Sequence, residues 1–453
     1  MDNQLPVAVI GAGPVGLAAA SHLLERGIEP LVLEAGEEAA SAVRQWSHVP
    51  LFSPWSYNID KAARRLLEPT GWNSPDPDHY PTGGELVDHY LAPLATKTVL
   101  RDRIRTSSRV LDISRVGFDK VKSAGRESAP FELRYRNGAG MKSVLARAVI
   151  DASGTWHSPN PAGANGLKAI GEDVAGARIG YGMPDVLGRD RARYEGKTVA
   201  VLGAGHSAAG TLLDLIRLRA AAPQTRVIWL IRGDDPAKSF GGGANDKLTA
   251  RGQLGAELES AVRAKSIEIQ TGFRVSHLSE TDNGLRLGVG SACCGRNLVV
   301  DELIVATGFR PDLTFLRELR LSLDPALECP PVLAPLIDPN VHSCGTVRPH
   351  GAKELAHPEP GLYVAGIKSY GRAPTFLMAT GYEQVRSIAA ELAGDVEAAR
   401  RVELELPETG VCSLSRGAPS TQSGCCGDTA PAKTDAGSCC TASEKSREAA
   451  CCT

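Results

Sequence analysis

Gly11, Gly13 and Gly16 stand at G-x-G-x-x-G spacing directly after the apolar run Val7–Ile10, and Glu34 closes the next apolar run, 21 residues beyond Gly13. At a dinucleotide each of these has a task. Gly11 permits the tight turn, Gly13 lets the backbone approach a pyrophosphate, Gly16 lets helix pack on strand, and the acid holds ribose hydroxyls. Pro14 lies inside the same turn. A second set follows at Gly203 and Gly205, with His206 and Ser207 next in the turn and Gly210 beyond. Here Arg232, with Lys238 nearby, stands where the first motif has its acid. A carboxylate repels a 2′-phosphate and a guanidinium binds it, so the contrast predicts NADPH over NADH; the alternative is a solvated strand-end charge. His206 is read as a turn residue and not as a base.

The third constellation is sulfur. None of the eleven cysteines precedes Cys293, and seven lie at or after Cys412: Cys412 itself and the adjacent pairs Cys425-Cys426, Cys439-Cys440 and Cys451-Cys452. Neighbouring Cα atoms lie about 3.8 Å apart, whereas a relaxed disulfide wants roughly 4.4–6.8 Å. A pair bonded to itself is strained, and in a reducing compartment the thiols stay free. Flexible free thiols suit soft ions such as As(III), Hg(II) or Cu(I). The competing reading is a low-complexity tail without function.

The elements that must position these residues follow from pattern. Val7–Ile10 and Leu31–Leu33 read as buried parallel strands around a helix. Thr82–Leu100 reads as one helix, capped by Thr82 with Glu85 three residues on. Arg109–Ile113, Phe131–Arg136 and Val144–Ile150 read as a meander, with Asn137-Gly138 as a hairpin turn. Thr198–Leu202 and Arg226–Ile231 flank the second helix. Lys247–Lys265 (helix), Ile267–Gln270 (strand), a hairpin region over Leu285–Val300, and strands at Glu302–Ala306 and Gly361–Gly366 follow. A helix of about 20 residues is expected from Pro374, which suits a first helical turn. Arg44, Trp46, Phe52, Trp55, Tyr57, Trp72 and Tyr80 read either as a loop-rich cap or as the wall of a flat aromatic pocket. From Cys412 the chain has almost nothing to bury and is expected to be disordered.

Composition narrows the class. At 453 residues, with 42% hydrophobic and 23% charged residues and a net charge of −2, the chain affords two or three domains and carries no basic region for nucleic acid or anionic membrane. No apolar run reaches the roughly 18 residues of a membrane span, and no secretory leader is evident at the start. The expectation is a cytoplasmic protein; the oligomeric state is left open.

Two dinucleotide motifs about 190 residues apart, the Ala306-Thr307-Gly308 strand end before Phe309, and the late Gly-Leu-Tyr-Val-Ala-Gly strand ending at Gly366 resemble the two-dinucleotide-binding-domain flavoproteins. These include thioredoxin reductase-like proteins, mercuric reductase and flavin-containing monooxygenases. The resemblance covers about residues 5–395. It implies an α/β fold with two Rossmann-like domains: a discontinuous FAD domain (1–160 and 311–395), an inserted NADPH domain (161–310), and a linker with the Cys-rich tail (396–453). It implies FAD contacts at Gly11, Gly13, Pro14, Gly16 and Glu34, NADPH contacts at Gly203, Gly205, His206, Ser207 and Arg232, and Gly308 and Gly366 near the cofactors. The helix expected near Pro374 would approach the flavin ring.

Disulfide reductases of this group carry a Cys pair beside the flavin, and this chain has no Cys before 293. What remains resembles the flavin-containing monooxygenase branch: Arg44-Gln45-Trp46 matches its Gly-Gly-x-Trp, which adds Arg44 and Trp46 to the cofactor contacts, and Tyr80-Pro81 and Trp156-His157-Ser158-Pro159 are similar too. The branch's fingerprint His is absent; Ile179–Asp185 stands there instead. The core with its tail is similar to flavin monooxygenase-like proteins of arsenic-resistance operons. The expected activity is NADPH-driven flavin oxidation of a small soft nucleophile by O₂, a trivalent arsenical being one candidate. The alternatives are reduction of a tail-bound metal or disulfide, or a thiophile-binding module at Cys412, Cys425, Cys426, Cys439, Cys440, Cys451 and Cys452. No catalytic side chain is assigned.

Overall fold

The structure, a computed structural model, describes residues 4–241, 249–290, 295–341, 347–374 and 376–404. The first lobe begins with β1 (Val7–Ile10), α1 (Pro14–Glu25), β2 (Pro30–Leu33) and the short β3 (Ile104–Arg105). It continues through β4 (Arg109–Arg115), β5 (Phe131–Asn137), β6 (Gly140–Ala146) and β7 (Ala148–Asp151). The second lobe contains β8 (Ile179–Tyr181), β9 (Thr198–Leu202), α2 (His206–Ala221), β10 (Arg226–Leu230) and α3 (Thr249–Arg263). It ends with β11 (Glu268–Gln270), β12 (Val275–Thr281), β13 (Gly284–Val289), β14 (Arg296–Val300) and β15 (Glu302–Val305). The chain then returns to the first lobe with β16 (Leu362–Val364) and α4 (Met378–Leu392).

The main sheet of the first lobe has the order β16-β7-β1-β2-β3, and all its pairings are parallel. β1, β2, β7 and β16 are buried along their whole length. Continuous apolar runs of this kind belong to parallel strands covered on both faces. The second lobe repeats the plan as β11-β10-β9-β15-β8, again parallel. Each lobe adds a three-stranded antiparallel sheet, β4-β5-β6 and β12-β13-β14. The architecture is therefore the expected α/β pair of Rossmann-like lobes, with the first built from both sides of the second. The described residues belong to one compact unit spanning Met1–Ser415.

Several elements differ from the sequence reading. The expected strand Val144–Ile150 is two strands: β6 completes the meander, and after Arg147, whose N–H donates to Pro6, β7 enters the parallel sheet beside β1. The helix from Gly83 runs to Lys97 through a π-turn at Val87–Leu91, just ahead of Pro93, then ends at Thr98. The ring at Pro93 cannot donate to the ordinary ladder, and a wider turn absorbs the lost bond. The helix expected from Pro374 starts at Met378 and has 15 residues, because Leu377 is extended (φ −107°, ψ 141°) and Phe376 stands edge-on to Tyr370. β12 escaped the reading because a bulge between Val275 and His277 breaks its two-residue period. No helix among the described residues is long and apolar enough to cross a membrane.

One buried clamp joins the pieces of the first lobe. Glu359, just ahead of β16, takes Arg115 Nε of β4 at 2.8 Å, an Arg126 guanidinium nitrogen at 2.8 Å and the Arg320 N–H at 3.0 Å. All three charged side chains are at most 1% exposed.

Candidate functional site

Each glycine turn sits at the carboxyl end of a central strand, where open α/β sheets bind ligands. Gly11 has φ +94°, and a Cβ there would lie 2.9 Å from the Ala152 carbonyl and the Ser153 Cα. Gly16 is equally confined: its Cβ would fall 1.9 Å from the Gly11 carbonyl oxygen. Gly13 is different. It caps α1 in an extended conformation, no side chain caps the helix, and a Cβ would meet nothing within 4 Å. A bare helix N-terminus beside vacant space is what a diphosphate requires. Pro14 occupies the first helical position.

Glu34 is only 8% exposed and accepts hydrogen bonds from Ala12 N–H (2.7 Å), Gly36 N–H (2.7 Å) and Ser41 Oγ (2.9 Å). The acid thus braces the glycine turn as well as facing the cavity.

The second turn repeats the geometry. Gly203 has φ +147°, and a Cβ would collide with the Ala306 carbonyl at 2.2 Å, while Gly205, at the start of α2, again faces open space. Ala208 holds the third glycine position and is fully buried. His206 meets the Phe52 ring edge-on at 5.3 Å.

One cavity of about 680 Å³ joins the two turns, running from Gly13 and Glu34 to His206 and Ser207. Gly11, Pro14, Trp46 and Gly366 line it as well. Gly366 has φ +73° and donates its N–H to Gln384 Oε1 (2.8 Å), and the Gln384 amide in turn meets His350 and Ser369. Burial holds the His350 ring below the usual imidazole range.

The aromatic segment divides between its two readings. Trp46 and Phe52 line the cavity, and Trp46, Trp156 and Phe309 form a row with centroids 6.5 and 5.2 Å apart. Trp55, 2% exposed, is core, and Trp72 packs against that core.

Other expected contacts lie outside the cavity wall. Arg44 is tied to Asp88 at 2.7 Å and Glu38 at 3.5 Å on the surface. Gly308 (φ +89°) shapes the loop against Asn160. Arg232 is exposed just beyond β10 and donates to the Ala164 carbonyl at 3.2 Å.

Lys368 is a lining residue that the sequence reading missed. It is 2% exposed, and its ammonium lies 2.7 Å from Asp151 Oδ2. Nothing in a Gly-Ile-Lys tripeptide distinguishes a buried lysine from a surface one.

Among the described residues no cysteine lines the cavity and no group of three or more His, Cys, Asp or Glu could hold a metal. Cys329 is buried, and burial with the nearby Asp324 pushes its thiol up to about 12. Cys293, Cys294, Cys344 and the expected thiophile ligands from Cys412 to Cys452 lie outside the described residues, as does the expectation of a disordered tail.

Similarity to known proteins agrees with this geometry. The chain is 23% identical to the bacilliredoxin reductase of Bacillus subtilis over 393 residues, covering 86% of this chain and 98% of that protein. It is 25% identical to a flavin-containing monooxygenase of Aspergillus flavus over 219 residues, covering 46% of this chain and only half of that one. Among solved structures, the bacillithiol disulfide reductase of Bacillus cereus shares the fold with a TM-score of 0.63 at 19% identity, over 86% of this chain and 99% of that one. Residues 8–332 match the pyridine nucleotide-disulphide oxidoreductase family. Two glycine turns opening on one cavity, read with that match, make the chain a flavin-dependent oxidoreductase, a member of the pyridine nucleotide-disulphide oxidoreductase family.

Proposed function

We propose that the protein uses NADPH and FAD to oxygenate a small soft nucleophile, a thioether or a trivalent arsenical being suitable classes. The supporting observation is the cavity wall: no described cysteine stands on it to relay electrons to a disulfide. The α1 N-terminus and Gly13 would receive the FAD diphosphate, and Glu34 its ribose. Gly205 and Ser207 would receive the NADPH diphosphate. Bound flavin supplies two-electron acceptance from the nicotinamide and onward reaction with O₂. Trp46, Trp156 and Phe309 form an apolar row that keeps water from the reacting centre.

The overall balance is NADPH, H⁺, O₂ and substrate to NADP⁺, water and substrate oxide. With methyl phenyl sulfide or arsenite present, O₂ uptake is expected to match NADPH oxidation, with oxide formed and little hydrogen peroxide released. The second reading is disulfide reduction, and the likeness to bacilliredoxin reductase along nearly the whole of that protein favours it. NADPH oxidation that ignores O₂ but follows an added disulfide would establish that reading instead. A disulfide formed between tail cysteines, reduced to two thiols by two electrons and two protons, would then be the acceptor; in the first reading the free thiols act as a trap for the thiophile.

Arg232 tests the choice of nucleotide. Arg232→Ala is expected to raise KM for NADPH about tenfold, because a charge-assisted bond to the 2′-phosphate is lost, and to leave NADH unchanged. Equal shifts for both nucleotides would make Arg232 a solvated charge.

A further inference from the structure

The Lys368 ammonium is enclosed on three sides. Asp151 Oδ2 lies 2.7 Å away, Ser153 Oγ accepts from it at 2.9 Å, and the Phe315 ring centroid is 4.5 Å off. Ser153 Oγ in turn donates to Asp151 Oδ1 at 2.7 Å. The side chains of Lys368 and Asp151 are 1% and 0% exposed. A buried ion pair of this kind is a poor source of stability, since desolvation offsets most of the attraction. Its placement is informative. Asp151 ends β7 and is paired in register with Ile10 of β1 and Val364 of β16. The charge therefore sits at the carboxyl edge of three adjacent strands. Ser153 adjoins the first glycine turn, its Cα 2.9 Å from where a Gly11 side chain would begin. Ser153, Phe315 and Lys368 all line the cavity. An ammonium has three protons to donate; Ser153 accepts one, Asp151 Oδ2 is paired by charge but makes no hydrogen bond, and no other described residue accepts from it.

The geometry points to Lys368 as a cofactor-binding residue that neutralises the diphosphate of the dinucleotide held at the first glycine turn. This rests on the reading that the turn holds FAD. The turn itself supplies only backbone N–H groups, and α1 has no basic residue in its first turn. Two phosphate charges brought to that helix N-terminus are held more tightly with a cation close by. Asp151 and Ser153 keep that cation charged and in place when the cofactor is absent, and Asp151 is thus a positioning residue.

The test is binding to apo-protein, followed by flavin fluorescence, with ADP and adenosine as competitors. The double variant Lys368→Met/Asp151→Asn removes both charges and leaves no buried ion unpaired. It is expected to weaken FAD and ADP alike, by about ten- to hundredfold, and to leave adenosine unchanged, because only the first two carry a diphosphate. Lys368→Arg keeps the charge and is expected to stay within a few-fold of wild type. Thermal melts of the apo-proteins establish folding. A folded double variant with wild-type affinity would overturn the assignment, as would loss of FAD affinity with ADP untouched. If the double variant does not fold, Lys368→Arg decides: retained FAD supports the role of charge, and lost FAD overturns it. Wild-type protein that takes up no FAD would overturn the underlying cofactor reading, a result distinct from either failure.

Discussion

Gly13→Val is expected to give a folded, colourless protein. A Cβ there meets no protein atom within 4 Å, and the backbone at Gly13 (φ −78°, ψ −174°) is one that valine adopts freely. Every consequence should therefore fall on the ligand, which loses its close approach to the backbone. FAD should be absent from the purified variant, while its thermal midpoint matches that of wild-type apo-protein. Gly16→Val is the contrasting case. Its side chain would strike the Gly11 carbonyl oxygen, and α1 could not stay against β1. That variant should lose stability before it loses cofactor. Yellow, flavin-loaded Gly13→Val protein would remove the foundation of the cofactor assignment.

Glu359→Ala is expected to cost about 3–5 kcal/mol of unfolding free energy, because two guanidinium groups would remain buried without their carboxylate. Denaturant unfolding measures this directly. Acid provides an independent check. Burial alone would raise the Glu359 carboxyl, but hydrogen bonds from Arg126, Arg115 and the Arg320 N–H outweigh it and hold the group below the usual range. A carboxyl depressed in the folded state contributes stability that is full above its unfolded value, about 4.3, and is lost as pH falls through the folded value. Glu359→Gln should flatten that part of the acid profile. An unchanged profile would mean that the clamp carries no net energy.

Both glycine turns were legible in the sequence because their residues act through backbone geometry, which short-range spacing encodes. Gly11, Gly203 and Gly366 indeed take positive φ. Glu34 was legible for the same reason, although its grip on Ala12 N–H was not, since that bond depends on how the loop folds back. Lys368, Asp151 and Ser153 were illegible. Lys368 lies more than 200 residues from Asp151 and Ser153, across an inserted lobe, and only strand order brings it to them. The Glu359 clamp was hidden likewise. The pairing of Arg44 with Asp88 was not legible, because a motif position does not fix a side-chain direction. The split at Arg147 was invisible because the apolar runs Val144–Ala146 and Ala148–Ile150 on either side of it read alike and differ in the partner each finds.

The strand order of the first lobe also has a consequence for how the protein is made. β7 is followed by about 210 residues before its neighbour β16 is translated. At roughly 5–20 residues per second, that edge stays open on the ribosome for on the order of 10–40 s. An open, mostly apolar edge is a template for mispairing with other nascent chains. During the same interval the second lobe has all its strands and can close by itself. Lys368 emerges only after β16, and Phe376, Leu377 and Met378 of the cavity wall follow it, so this side of the cavity is the last to be delivered. Messages truncated between about codons 306 and 361 would release chains with all strands of one lobe and one exposed edge in the other, and these are the products that cellular quality control would have to remove.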